Sequence, residues 1–263
     1  MQSCKLAPVY TEYITPIKGP LVHARHSSKD KARQLVWDAL SEQRAARFPF
    51  PPHGRIPNFA GAKEAVERLL AHPIFEKAKC IKVNPDAPQR YIRAAALQKG
   101  ITVVVPTPRL RGGFKRLDPA KIPPAKLSEA ASLSKGHLWA EQISVETLPA
   151  VDFIVTGCVA VTRAGHRCGK GHGYGDLEYA IFRELGHPPV PVATTVHSLQ
   201  IVDGFPTGDH DLPVNIIATP EELIEVVDHV SEPTGIQWDK LTRDDLEEMP
   251  ILKELQSRQK RSF

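Results

Sequence analysis

The chain has 263 residues, with 34 Lys plus Arg against 30 Asp plus Glu and a formal net charge of +4. That length supports one substantial core, so one main domain with irregular ends is expected, spanning about 27–230 between an extension (1–26) and a C-terminal helical tail (231–263). Charges of both signs are spread along the chain with no polybasic block, which speaks against a nucleic-acid or membrane partner and suits a small anionic ligand.

Cys4, Cys80, Cys158 and Cys168 form no C-x-x-C pair and read as ordinary thiols. The first twenty residues contain no apolar signal region, and no apolar run approaches the ~18 residues of a membrane helix, so a cytoplasmic location is expected.

After the extension, "SSKDKARQLVWDALSEQRAARF" predicts a helix, with Ser27 or Ser28 as cap and Leu35, Val36, Ala39 and Leu40 on one face; Pro49, Pro51 and Pro52 end it. A second helix is expected at "AKEAVERLLAH". Then "KCIKV", "QRYIRAAALQKG" and "ITVVVP" read as strand, helix and strand, a spacing that suits a parallel crossover. Residues 106–150 predict long loops with one short helix near 126–135. "VDFIVTGCVAVT" gives two strands around Gly157, followed by a glycine-rich loop and the helix "DLEYAIFRELG". "VPVATTV", "HSLQIVD" and "VNIIAT" are expected as strands and "PEELIEVVDHV" as a helix. The tail stretch "RDDLEEMPILKELQSRQ" is amphipathic and packs either on the domain or on a second copy, leaving monomer and homodimer open. The alternation predicts an α/β fold, a three-layer domain around a largely parallel sheet.

The loop itself reads "RCGKGHGYGD". A strand, bare glycines and a helix start place backbone N–H groups and a positive dipole end at the exit of a sheet, where phosphate is the natural guest. The spacing is neither a P-loop nor the G-x-G-x-x-G dinucleotide fingerprint. Arg167 and Lys170 supply charge to neutralise phosphate. Asp176, at the next helix start, is either a helix cap or a magnesium ligand.

Three segments together resemble the 5-formyltetrahydrofolate cyclo-ligase family, the methenyltetrahydrofolate synthetases: "DFIVTGCVAVTRAGHRCGKGHGYGDLEYAIFRELG", "SLQIVDGFPTGDHD" and the N-terminal "KDKAR". The resemblance runs with gaps from about 28 to 230. It implies the NagB/RpiA/CoA transferase-like form of the α/β fold and a reaction in which ATP and Mg2+ activate the formyl oxygen of 5-formyltetrahydrofolate, giving 5,10-methenyltetrahydrofolate. It also implies residue roles. Lys29 and Arg33 would bind nucleotide phosphates, as would Arg167, Gly169, Lys170, Gly171, His172, Gly173, Tyr174 and Gly175. Arg167 and Lys170 would neutralise the transferring charge, and Asp176 and Asp211 would hold magnesium.

The segment "VNPDAPQRYIRAAAL" departs from the family pattern, because no glutamate stands where ordinary members hold the pterin; Asp86 is the nearest carboxylate. "NPD" and "VPTPRLRGGF" instead resemble a paralogous branch, the methenyltetrahydrofolate synthase domain-containing proteins, which is not known for cyclo-ligase activity and has been associated with thiamine metabolism. Arg109 and Arg111 there are candidates, with Asp86, for contacting the substrate. Three readings follow: a cyclo-ligase acting on a folate, an ATP-dependent enzyme acting on another heterocycle such as a thiamine-related compound, and a non-catalytic nucleotide-binding protein.

Overall fold

The computed structural model describes residues 24–132, 134–227 and 230–259. The expected N-terminal extension therefore lies almost wholly outside the described residues. Eight strands form one sheet in the order β12-β11-β10-β7-β3-β4-β5-β6. Its centre is parallel: β3 (Cys80–Val83), β4 (Thr102–Pro106), β7 (Phe153–Val155), β10 (Val192–Thr195) and β11 (Ile216–Ala218) run the same way. Both edges are antiparallel, through β5 (Phe114–Leu117) with β6 (Glu141–Ile143), and through β12 (Leu223–Glu225).

Neighbouring residues on the central strands divide between two cores. Ile81, Val83, Val103, Phe153, Val155 and Ile216 pack in one layer, while Val104, Ile154 and Ile217 pack in the other. This period-2 split is what a parallel sheet covered on both faces requires. The first face is covered by α2 (Ala62–Leu70), α3 (Pro73–Glu76), α4 (Arg90–Gln98) and α5 (Leu127–Ala130). The second is covered by α6 (Tyr174–Glu184) and by the tail helices α7 (Arg243–Glu248) and α8 (Pro250–Gln259). Met249, Ile251, Leu252 and Leu255 enter that core beside Phe114 and Phe182, so the tail packs on its own domain. A third, smaller core joins α1 (Lys29–Glu42), capped by Ser28, to the hairpin of β8 (Ala160–Val161) and β9 (Arg167–Cys168). A separate ribbon pairs β1 (Ala46–Arg47) with β2 (Asn58–Phe59).

Three expectations are corrected. Residues 106–150 contribute β5 and β6, which widen the sheet: Val103, Val104, Val105 and Pro106 pair with Leu117, Arg116, Lys115 and Phe114. "HSLQIVD" is a single 3-10 turn at Ser198–Gln200 whose following Ile201 only bridges Val161, because His197 caps the turn and Gln200 ties it back. "PEELIEVVDHV" is not a helix over its described part. Thr219 Oγ1 accepts from the amides of Glu221 and Glu222, and that turn sends Leu223–Glu225 back along β11 as an edge strand. Turn chemistry outweighs the helical spacing there.

Candidate active site

A cleft of about 750 Å³ opens where the parallel strands end. Its walls include Asn84, Pro85 and Asp86 after β3, Thr107 and Arg109 after β4, and Thr156 and Gly157 after β7. The carboxyl ends of parallel strands are where open α/β sheets bind ligands, because loops diverge there and helix N-termini converge. The glycine loop, Lys29, Arg33 and Asp211 close the opposite wall.

The loop holds its glycines against cations. Gly171 has φ +111, a backbone state that side chains rarely adopt, and a Cβ there would lie 3.5 Å from the Arg33 guanidinium. A Cβ on Gly175 would stand 3.1 Å from Arg167 NH2 and 3.5 Å from Thr156 Oγ1. The missing side chains thus open the space over two guanidinium groups. Arg33 is itself fixed by Nε donating to the Gly169 carbonyl at 2.7 Å. Helix α6 begins after Gly173, which offers no side-chain cap, so its first amides keep their capacity for an anion. Arg167 Nε is buried without a partner among the described residues. These features fit a polyphosphate.

The two expected metal ligands share the cleft, each paired with a cation. Asp176 Oδ1 accepts from Arg167 NH2 at 2.5 Å and from the Leu212 amide at 2.9 Å. The second bond ties Asp176 to the residue next to Asp211. Asp211 itself takes Lys29 Nζ at 2.5 Å and the Gly208 amide at 2.8 Å. Burial pushes the Asp211 carboxyl up, but the hydrogen bonds from Lys29 and Gly208 outweigh it and hold the group below its ordinary 3.8. Among the described residues no group of three or more His, Cys, Asp and Glu is arranged to hold a metal. Two carboxylates fit magnesium, which takes its other ligands from water and phosphate rather than from an all-protein cage.

The floor carries a different pair. Ile81 and Val83 face one core, so Lys82 between them faces α6, where its ammonium pairs with Glu178 Oε2 and donates to Asn84 Oδ1 at 3.1 Å. Asn84 Nδ2 donates to the same Glu178 oxygen at 3.0 Å. Arg93, buried on α4, donates to the carbonyls of Asn84 and Asp86 and so fixes the loop after β3; burial lowers its pKa to about 10.

Sequence comparison decides the family. The profile of the 5-formyltetrahydrofolate cyclo-ligase family matches residues 25–220, most of the chain. The chain belongs to that family. Among its relatives are methenyltetrahydrofolate synthase domain-containing proteins of mouse (40% identical over 242 residues), cattle (39%) and human (36%), each match covering 89% of this chain. The chain spans 65% of the mouse relative and 63% of the other two. The solved Aquifex aeolicus 5,10-methenyltetrahydrofolate synthetase is 18% identical with a TM-score of 0.49, the match covering 77% of this chain and 94% of that one. A Mycoplasma pneumoniae 5,10-methenyltetrahydrofolate synthetase gives 14% and 0.43, with 74% and 98% covered.

On this cyclo-ligase-family scaffold Lys29, Arg33, the loop 167–175, Asp176, Asp211, Asp86 and Arg109 all line one cleft. Lys170 reaches across it to Asp86 Oδ1 at 3.2 Å. His172 lines it too, its ring 5.9 Å from that of Tyr174. Asp176 is not the side-chain cap of α6, which has none; its carboxylate is turned to Arg167. Arg111 is not brought to the cleft but lies in a separate depression with Asp244, Glu247 and Glu248. Burial pushes the thiols of Cys80 and Cys158 up to about 12 and raises that of Cys168, consistent with inert packing. Lys82 and Glu178 escaped the sequence reading. The available signal was a lone charge inside each of two apolar runs, "CIKV" and "LEYAIF".

Proposed function

We propose that this chain holds Mg–ATP against the glycine loop and uses it to activate an oxygen on a small heterocyclic acceptor, which sits between the loop after β3 and helix α6. The observation that carries this reading is the convergence of a backbone-bare loop, the cations Lys29, Arg33, Arg167 and Lys170 and the carboxylates Asp176 and Asp211 on one cleft at the ends of parallel strands. Lys29, Arg33, Arg167 and Lys170 neutralise phosphate oxygens, Arg167 from a buried position where its charge is little screened. Asp176 and Asp211 hold magnesium, which when bound withdraws charge from the transferring phosphoryl group. Arg167 and Lys29, which hold these two carboxylates, line the same cleft and would supply positive charge to the phosphates beside the metal. Positioning and charge neutralisation, rather than covalent help, are what such a transfer asks of a protein.

Family membership makes 5-formyltetrahydrofolate the first acceptor to try. Mixing it with the protein, ATP and magnesium produces methenyltetrahydrofolate, with its strong near-ultraviolet absorbance, if the cyclo-ligase reaction is retained. The changed segment after β3, where no glutamate stands at the family's pterin position and Asp86 is the nearest carboxylate, favours a second reading with another heterocycle as acceptor. Thermal stabilisation by Mg–ATP without any absorbance change supports that second reading. Absence of both contradicts the nucleotide proposal.

A further inference from the structure

We propose that Glu178, held by Lys82 and Asn84, recognises the acceptor, and that this end of the cleft takes an uncharged nitrogen heterocycle through a ring or exocyclic N–H. The inference rests on the nucleotide lying at the glycine loop, and it names what fills the rest of the cleft.

The three groups are buried, and two of them reach the cleft. The Lys82 and Glu178 side chains are 1% and 5% exposed, yet Glu178 and Asn84 both line the cleft. Asn84 is engaged at both ends, accepting from Lys82 and donating to Glu178. Both bonds to Glu178 land on Oε2, which leaves Oε1 as the acceptor this group presents to a ligand. Thr156 adds a second contact: it lines the same cleft, is fully buried, and its hydroxyl has no partner among the described residues. That hydroxyl lies 3.5 Å from where a Cβ on Gly175 would stand, at the junction between the phosphate end and the floor. Beside Gly157, another cleft residue, Gln89 is wholly buried with neither amide atom paired among the described residues.

The charge of the ligand follows from that of the floor. Lys82 is balanced by Glu178, and the buried Arg93 behind the loop has Asp86 as its counter-charge, so a cationic or anionic ring would bring a buried charge without a counterpart. A neutral ring with an N–H donor satisfies Glu178 at no such cost, and its carbonyl or ring nitrogen satisfies Thr156.

The test titrates three ring probes by saturation-transfer NMR, with and without Mg–AMP-PNP: isocytosine (neutral), thiamine (cationic) and orotate (anionic). Isocytosine is expected to bind best. Glu178→Gln should weaken it at least tenfold while Mg–AMP-PNP affinity stays within twofold, and Thr156→Val should weaken it about threefold, giving a second readout should the first variant fold poorly. Isocytosine binding that is absent, or unchanged in both variants, overturns the proposal and leaves the nucleotide reading standing. Preference for thiamine or orotate overturns the neutrality argument. Lack of Mg–AMP-PNP binding counts against the nucleotide reading, while Glu178-dependent isocytosine binding without nucleotide still supports the assignment of Glu178.

Discussion

At the loop end of the cleft Asp176 and Asp211 keep 20% and 11% of their side-chain surface exposed and pair with Arg167 and Lys29, whereas on the floor Glu178 and Lys82 keep 5% and 1%. The two carboxylates face the opening, and on the proposed reading a polyanion and its metal would offer each partner an equivalent charge, which Arg167, itself 2% exposed, needs if Asp176 turns away. The floor pair has no such substitute. Removing one member strands the other in a low-dielectric interior. On the proposed reading, one end of the cleft would swap ionic partners and the other would keep them.

The largest effect is expected from Lys82→Met, which leaves Glu178 buried and uncompensated: about 3–5 kcal/mol of stability, or roughly 6–20 °C in melting temperature for a domain of this size. Adding Glu178→Met should recover most of that loss in a double-mutant cycle. A single variant that melts like the parent would mean the floor pair is not isolated from water. Next comes Gly171→Ala, which forces a side chain into positive φ beside Arg33. If the free loop relaxes to escape that strain of about 1–2 kcal/mol, binding must restore it at a cost of roughly tenfold in Mg–ATP affinity by calorimetry, and unchanged affinity would place the phosphates elsewhere.

The smallest effect is on acid stability. Because the Asp211 carboxyl lies below its ordinary 3.8 in the folded chain, its contribution is fully present above that value and fades as pH falls through the lower, folded one. Lys29→Met removes the nearest cation, so the carboxyl should titrate at higher pH and the acid limb of stability should begin earlier. NMR titration of Asp211 reads this directly; an unmoved carboxyl would show that the Lys29 contact does not persist in solution.

The sequence made the parallel centre of the sheet visible, since "KCIKV", "ITVVVP" and "VPVATTV" are short apolar runs bounded by turn residues, and a sheet covered on both faces leaves them nowhere else to go. Its edges were hidden. Phe114–Leu117 carries Lys115 and Arg116 between its apolar ends and resembles a basic loop, while Leu223–Glu225 follows two glutamates at helix-like spacing. Edge strands carry solvated residues, so their pattern is weak. The loop side of the site was equally visible, because glycines without side chains and paired charges leave a mark in one short stretch. Glu178 and Lys82 stand 96 residues apart and meet only when β3 lies beneath α6. The one local mark of each is a lone charge inside an apolar run, which does not say that the two meet. Arg111 shows the reverse error: two residues beyond Arg109, it leaves the cleft for the acidic face of α7.

Isothermal calorimetry of the parent chain and of the Asp176→Asn/Asp211→Asn double variant with ATP, with and without magnesium, bears most directly on the cleft as a nucleotide site. Saturable, magnesium-dependent binding by the parent, with the magnesium dependence lost in the double variant, is the predicted result. Equal heats from both proteins, or no binding by the parent at millimolar ATP, would contradict it.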